Sequence, residues 1–180
     1  MSKITFVIGG CRSGKSRRAL ELAETISLDR RLFLATCVPT DAEMQRRVRQ
    51  HREERGTSWE SLEVPRNLAR AVTGEGHRAG VLLIDCLTLW VSNLMAAENN
   101  DDAIERYTTE LVASLEGCPC PVILVSNETG TGIVPENAIA RRFRDLVGMV
   151  NQRIAAAAGR VVWMVAGIPV EIKKGNRQTE

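Results

Sequence analysis

Aromatic residues are scarce in this chain: three tryptophans, three phenylalanines and one tyrosine in 180 residues, or 4%. Single-stranded nucleic acid is usually held by aromatic platforms beside a basic surface. The basic surface is missing too, because 24 lysines and arginines are nearly balanced by 22 acids. The net charge of +2 therefore argues against a nucleic-acid partner. No apolar run approaches the roughly 20 residues that span a bilayer. The N-terminal "MSKITFVIGG" passes straight into a glycine loop, unlike a signal peptide. The expectation is a cytoplasmic protein with no membrane partner. Cysteines number five, an odd count, and only Cys118 and Cys120 are close in sequence. No pair of C-x-x-C motifs is present, so neither a disulfide framework nor a zinc site is expected. The cysteines read as small buried hydrophobes. Histidine is rare, with only His51 and His77.

What the chain does have is a regular alternation. Five short apolar runs, "KITFVIG" from Lys3, "RLFLAT" from Arg31, "GVLLID" from Gly80, "PVILVS" from Pro121 and "RVVWMVAG" from Arg160, are nearly continuous in Val, Ile and Leu. Such runs suit parallel strands buried on both faces. Helical stripes lie between them. They run from Lys15 (Ala19, Leu20, Ala23, Ile26), from Ala103 (Ile104, Tyr107, Leu111, Leu115) and from Asn137 (Ile139, Phe143, Leu146, Val150, Ile154). "LTLWVSNLMAA" after Asp85 reads as a further helix. Strand–helix alternation predicts an α/β domain with a mainly parallel sheet, residues 1–180 forming one unit. Its ligand site is expected at the carboxyl ends of the strands. "ENNDD" from Glu98 reads as a polar loop, and "KKGNRQTE" from Lys173 as a solvated tail.

The sharpest motif is "GGCRSGKS", Gly9–Ser16, which fits G-x-x-x-x-G-K-[ST] between a predicted strand and a predicted helix. Gly9, Gly10 and Gly14 allow a tight loop around Cys11, Arg12 and Ser13. Its backbone N–H groups and the helix N-terminus then form an anion nest. Lys15 would reach the β- and γ-phosphates of a nucleoside triphosphate, and Ser16 would bind Mg²⁺. An acid ending a neighbouring strand usually completes the Mg²⁺ site, and Asp85 occupies that place. Three other segments should share this rim: "ATCVPTDAEM" with Ala35, Thr36 and Cys37, "NETGTGIVPE" with Glu128, and "GIPVEIK".

A helix predicted from Asp41 to about Arg55 contains "RRVRQHREERG". At 3.6 residues per turn Arg47, His51 and Arg55 share one face, with Arg52 beside it. In a triphosphate-binding chain these cations have a natural partner. A histidine among cations is expected to have its pKa lowered, which keeps it neutral and nucleophilic near neutral pH. His77 reads as a surface residue.

Taken together, "FVIGGCRSGKSRRALELAE", "TDAEMQRRVRQHREERG-x-x-WE-x-x-E", "LLIDCLTLWVSNL", "VSNETGTGIVPENAIARRFRDLVGMVNQRIA" and "AGIPVEIK" resemble the bifunctional adenosylcobinamide kinase/adenosylcobinamide-phosphate guanylyltransferase family of cobalamin assembly. The resemblance runs to about Lys173. It implies a RecA-like P-loop domain, typically a homotrimer, that uses ATP or GTP to phosphorylate the aminopropanol hydroxyl of adenosylcobinamide. GMP from GTP then passes through a covalent histidine adduct to the cobinamide phosphate. The resemblance places that histidine at His51. It places nucleotide contacts at Gly9–Ser16, Ala35–Cys37, Arg52, Glu53, Glu54, Arg55, Glu63 and Asp85. Two departures stand out: Gln50 precedes His51 where some members carry a second histidine, and Asp85 stands where some carry glutamate. Two other functions fit the P-loop. A simple nucleoside or nucleotide kinase would need no His51, and a RecA-like ATPase acting on DNA would need a basic stripe.

Overall fold

The computed structural model describes residues 3–174 except 28, 40 and 99, with the side chains of Arg47, Gln50, His51, Glu54 and Thr57 outside the description. Its centre is a seven-stranded sheet. In chain order the strands are β1 (Ile4–Gly9), β2 (Arg31–Ala35), β3 (Trp59–Glu63), β4 (Val81–Asp85), β5 (Val122–Asn127), β6 (Arg160–Val165) and β7 (Ile168–Lys173), arranged β3-β2-β4-β5-β1-β6-β7. All pairings are parallel except β6 with β7. The helices are α1 (Lys15–Ile26), α2 (Ala42–Arg55), α3 (Leu68–Glu75), α4 (Leu87–Ala97), α5 (Asp101–Glu116) and α6 (Ala138–Ala157).

Strand residues alternate between two cores. Phe6, Leu34, Leu82, Ile84 and Leu124 pack against α3, α4, α5 and α6. Val7, Phe33, Leu83, Ile123 and Val125 face Ala19, Leu22 and Ala23 of α1. Because both faces are covered, the central strands read as unbroken apolar runs. All five predicted strands and all five predicted helices are present.

The differences lie at the edges. β3 was not expected: only Trp59 of "WESLE" is buried, so the strand has no apolar run to announce it. "GIPVEIK" forms the antiparallel edge strand β7, every residue exposed, and only its turn approaches the rim. Lys173 closes β7 instead of opening a tail, and residues 175–180 lie outside the described part. In "ENNDD", Asn100 caps α5 through Ala103 N (3.0 Å), and Asp101 and Asp102 form the first turn, where acids favour the helix dipole. The short α3, which contains Gly74, was missed as well. Cys86, Cys118 and Cys120 are buried as expected, but Cys37 is half-buried and Cys11 is exposed.

Leu111 is fully buried among the helices, so Leu111→Ala should cost about 2–5 kcal/mol in denaturant unfolding, by lost burial and a cavity. Leu62→Ala, at a side chain 40% exposed on β3, should cost about 0.5 kcal/mol or less. Equal losses at the two positions would contradict this core.

Candidate nucleotide site

The loop between β1 and α1 is shaped by its backbone. Gly14 has φ +89°, a left-handed conformation that disfavours side chains, and a Cβ on Gly9 would lie 2.6 Å from both Met164 O and Ser13 Oγ. Gly14 is the N-cap of α1 and no side chain caps the helix. The first helical bond runs from Arg18 N–H to Gly14 C=O (2.9 Å), so the N–H groups before it have no intrahelical acceptor. Lys15 donates from Nζ to Gly10 O at 3.1 Å, which holds the ammonium over the loop. Ser13 Oγ is buried without a partner. The turn into β7 touches this loop through Gly167 N–H and Ser13 C=O (3.1 Å).

A cleft of about 300 Å³ opens beside the loop. Lys15 and Ser16 line one end. Ala35, Cys37, Glu63, Asp85 and Asn127 come from the strand ends, and Met44, Val48, Arg52 and Arg55 come from α2. The sequence order suggested that Asp85 ends the strand next to β1, but β5 lies between β1 and β4. Asn127, paired in register with Gly9, therefore sits between the phosphate loop and Asp85. Sequence reasoning passed over Asn127 because a single asparagine at a strand end carries no spacing signal.

Thr36 plays a different part from the one expected. It is fully buried, its hydroxyl donates to Cys86 O and accepts from Cys86 N–H, each at 2.8 Å, and it ties the tips of β2 and β4 together. Asn93 of α4 adds a bond from Nδ2 to Thr36 O (2.8 Å). Glu128 is turned into its own loop, accepting from Gly130 N–H at 2.5 Å.

α2 forms the outer wall. Asp41 caps it through Met44 N–H (2.8 Å), and Gly56 ends it. Met44, Val48, Arg52 and Arg55 fall on one helical face, toward the cleft. The Arg55 guanidinium lies 3.7 Å from the Phe33 ring centroid, and Phe33 meets Trp59 edge-on at 6.3 Å. Arg52 donates to Glu63 at 2.6 Å, across two exposed side chains. None of the described residues of α2 is buried. Glu53 is exposed, and the side chains of His51, Glu54 and Arg47 lie outside the described residues. By backbone register position 51 is three residues after Val48 and four before Arg55.

Two thiols line the cleft, and neither favours ionisation. Burial and then the charge of Asp85 push Cys86 up to about 11. Cys37 is raised by burial, then by Asp85 and Glu63. Both are protonated at neutral pH and are poor nucleophiles. Ser16 and Asp85 supply a hydroxyl and a carboxylate in the same cleft. That donor set suits Mg²⁺ shared with nucleotide phosphates, which needs only one or two protein oxygens. No cluster of three metal-ligating side chains is present among the described residues.

Residues 5–172 match the family model described as cobinamide kinase / cobinamide phosphate guanyltransferase. The chain is 41% identical over 179 residues to the bifunctional adenosylcobalamin biosynthesis protein CobU of Salmonella typhimurium, covering 93% of this chain and 98% of the relative. Among solved structures it resembles the flagellar accessory protein FlaH of Methanocaldococcus jannaschii (TM-score 0.53, 11% identity, 96% of this chain and 78% of that one). It also resembles the RadB recombinase (TM-score 0.50, 15% identity, 89% and 73%). At such identities the likeness concerns the fold alone, a RecA-like P-loop domain.

A helix whose described side chains are all at least partly exposed opens at low cost. Saturating Mg-GTP should slow amide hydrogen exchange across residues 42–55 by about tenfold or more, while β1, β4 and β5 change little. Exchange in α2 that ignores nucleotide would contradict its place as a wall of the site.

Proposed function

Because this chain belongs to the cobinamide kinase / cobinamide phosphate guanyltransferase family, we propose that the cleft beside the phosphate loop carries out two successive transfers, one at each end of a triphosphate. The observation that carries this reading is the lining of the cleft: Lys15 and Ser16 of the phosphate loop face the wall of α2, the helix to which His51 belongs.

In the kinase step, ATP or GTP lies with its phosphates in the Gly9–Ser16 nest. The aminopropanol hydroxyl oxygen of adenosylcobinamide attacks the γ-phosphorus and releases its proton to water, while the bond to the β-phosphate oxygen breaks and ADP or GDP leaves with the electron pair. Lys15 would neutralise charge gathering on that bridging oxygen and the γ-oxygens, the dominant electrostatic task in phosphoryl transfer. Ser16 and Asp85 would hold Mg²⁺, which supplies further neutralisation of the phosphate charge when bound.

In the guanylyl step, a neutral ring nitrogen of His51 attacks the α-phosphorus of GTP. An N–P bond forms, the α–β P–O bond breaks, and pyrophosphate leaves with the electron pair. A phosphate oxygen of adenosylcobinamide phosphate then attacks the same phosphorus, and the N–P bond breaks. The histidine replaces one difficult transfer with two easier ones. The protonated state of Cys37 and Cys86 supports histidine over thiol as the nucleophile. Arg52 and Arg55, which line the cleft, would hold the leaving pyrophosphate, with Glu63 beside Arg52 as a further nucleotide contact.

The reading extends to a cytoplasmic homotrimer whose protomer is one domain. Exposed Trp163, Val165, Ile168, Val170 and Ile172 on the β6–β7 edge support an interface between copies. No described helix is long and apolar enough to cross a membrane.

His51→Ala should keep phosphorylation of adenosylcobinamide within about threefold of wild type, yet lose GMP transfer to adenosylcobinamide phosphate by about 10³-fold or more, the scale of losing a nucleophile. Product analysis by chromatography reads both steps. Parallel losses, or guanylyl transfer that survives, would refute two chemistries divided between Lys15 and His51.

A further inference from the structure

Residues 128–137, between β5 and α6, form an arm that the reading above leaves idle. It is long for a strand-to-helix connection, which usually takes about 2–6 residues, and it is not slack. At its root Glu128 N–H donates to Gly9 O at 3.0 Å, so it starts against the phosphate loop. Gly130 N–H donates to Glu128 Oε1 (2.5 Å), and Gly130 O accepts from Arg144 Nη2 (2.5 Å). Arg141 Nη1 donates to Pro135 O (3.0 Å) and Glu136 O (2.5 Å). Asn137 then caps α6 through Ile139 N–H (2.8 Å). Both ends of the arm are held, and its middle projects.

What projects is apolar and uncharged. Ile133 is 96% exposed, Val134 62%, and Ile139, in the first turn of α6, 70%. Ile133 and Ile139 are the two most exposed large hydrophobic residues described. Between Glu128 and Glu136 the stretch "TGTGIVP" carries no charge, in a chain that is 26% charged. Clustered exposed aliphatics on a fixed frame mark a contact surface. Among the described residues, the backbone N–H and C=O groups of Thr131, Gly132, Ile133 and Val134 have no partner, which leaves donors and acceptors open side by side. An ionic ligand would find no counter-charge on this stretch. A neutral, largely apolar ligand carrying amides would find both an apolar face and open hydrogen-bonding groups. The arm also stands apart from α2. α2 joins β2 to β3, and β4 lies between those strands and β5, from which the arm rises.

We propose, given the family chemistry above, that residues 131–139 bind the acceptor. Ile133, Val134 and Ile139 pack on an apolar face of the corrin ring of adenosylcobinamide, and the open backbone groups of 131–134 pair with its carboxamide side chains. The ring is then held beside the phosphate loop, its aminopropanol arm reaches in to the nucleotide, and α2 stays free to approach from the other side. A second copy of the chain is the rival occupant of so apolar a surface. Against it, the arm rises from β5, the middle strand of the sheet, at the nucleotide end and away from the β6–β7 edge.

Steady-state phosphorylation of adenosylcobinamide at saturating nucleotide tests this. Ile133→Asp and Val134→Asp should each raise the KM for adenosylcobinamide about tenfold or more, with kcat within about threefold, the pattern of lost ground-state binding. Calorimetric affinity for Mg-AMPPNP should stay within about twofold, and the oligomeric state in size-exclusion chromatography should not change. Ile26→Ser, at an exposed aliphatic position at the far end of α1 from the phosphate loop, should leave every value as in wild type. An unchanged KM in both Asp variants overturns the proposal. So does a raised KM that comes with a changed oligomeric state or with equally weakened AMPPNP, and so does a loss in kcat alone. A wild-type protein that binds AMPPNP yet phosphorylates no adenosylcobinamide would instead refute the family chemistry, and the arm's ligand with it.

Discussion

The nucleotide rim is set by the parallel register of three strands. Gly9 lies opposite Asn127, and Asp85 lies opposite Val125. Slipping any of these strands by one residue would turn its buried side chains to the other face. Here that would exchange Phe6 and Leu124, packed against α4 and α6, with Val7 and Val125, packed against α1. Both cores resist the exchange. Burial on two faces therefore fixes where β1, β4 and β5 end, and with them the phosphate loop, the carboxamide and the carboxylate. Hydrogen bonds at the tips lock the same arrangement: Thr36 joins β2 to β4, Thr88 joins α4 to β5, and Glu128 N–H joins β5 to Gly9.

Against this rigid rim stands α2. Among its described residues, Met44, Val48, Arg52 and Arg55 line the cleft, but none is buried. Among the contacts of its described residues are a capping aspartate, a stacked arginine and an exposed ion pair. An exposed pair such as Arg52–Glu63 contributes about 0–1 kcal/mol. The division suits an enzyme of two transfers. In the proposed mechanism, chemistry at the γ-phosphate falls to groups on the rim around the phosphate loop, whereas chemistry at the α-phosphate is assigned to a helix that can settle on the nucleotide once it is bound.

Much of this was legible in the residues, for a physical reason in each case. The five central strands show themselves because parallel strands covered on both faces have no polar alternation. The phosphate loop shows itself because Gly14 must adopt φ +89° and Gly9 has no room for a Cβ, so the motif is constrained residue by residue. The missed elements lack such constraints. β3 buries only Trp59, β7 is an exposed edge containing Pro169, and α3 is two turns long. Asp85 was recognised, but its distance from β1 was not, because strand order is a property of crossovers and not of composition. Asn127 was unreadable because its place beside the phosphate loop follows from the pairing of β5 with β1, which only the fold creates.

The central claim is that the helix over the cleft carries a covalent guanylyl acceptor at His51. The most direct measurement is to incubate the protein with Mg²⁺ and GTP labelled at the α-phosphate, denature it, and map protein-bound label by peptide mass spectrometry. The account predicts one GMP on the peptide containing His51, released by acid, stable to base, and lost in His51→Ala. Absence of protein-bound label in a chain that binds GTP, or label that persists in His51→Ala, would contradict it.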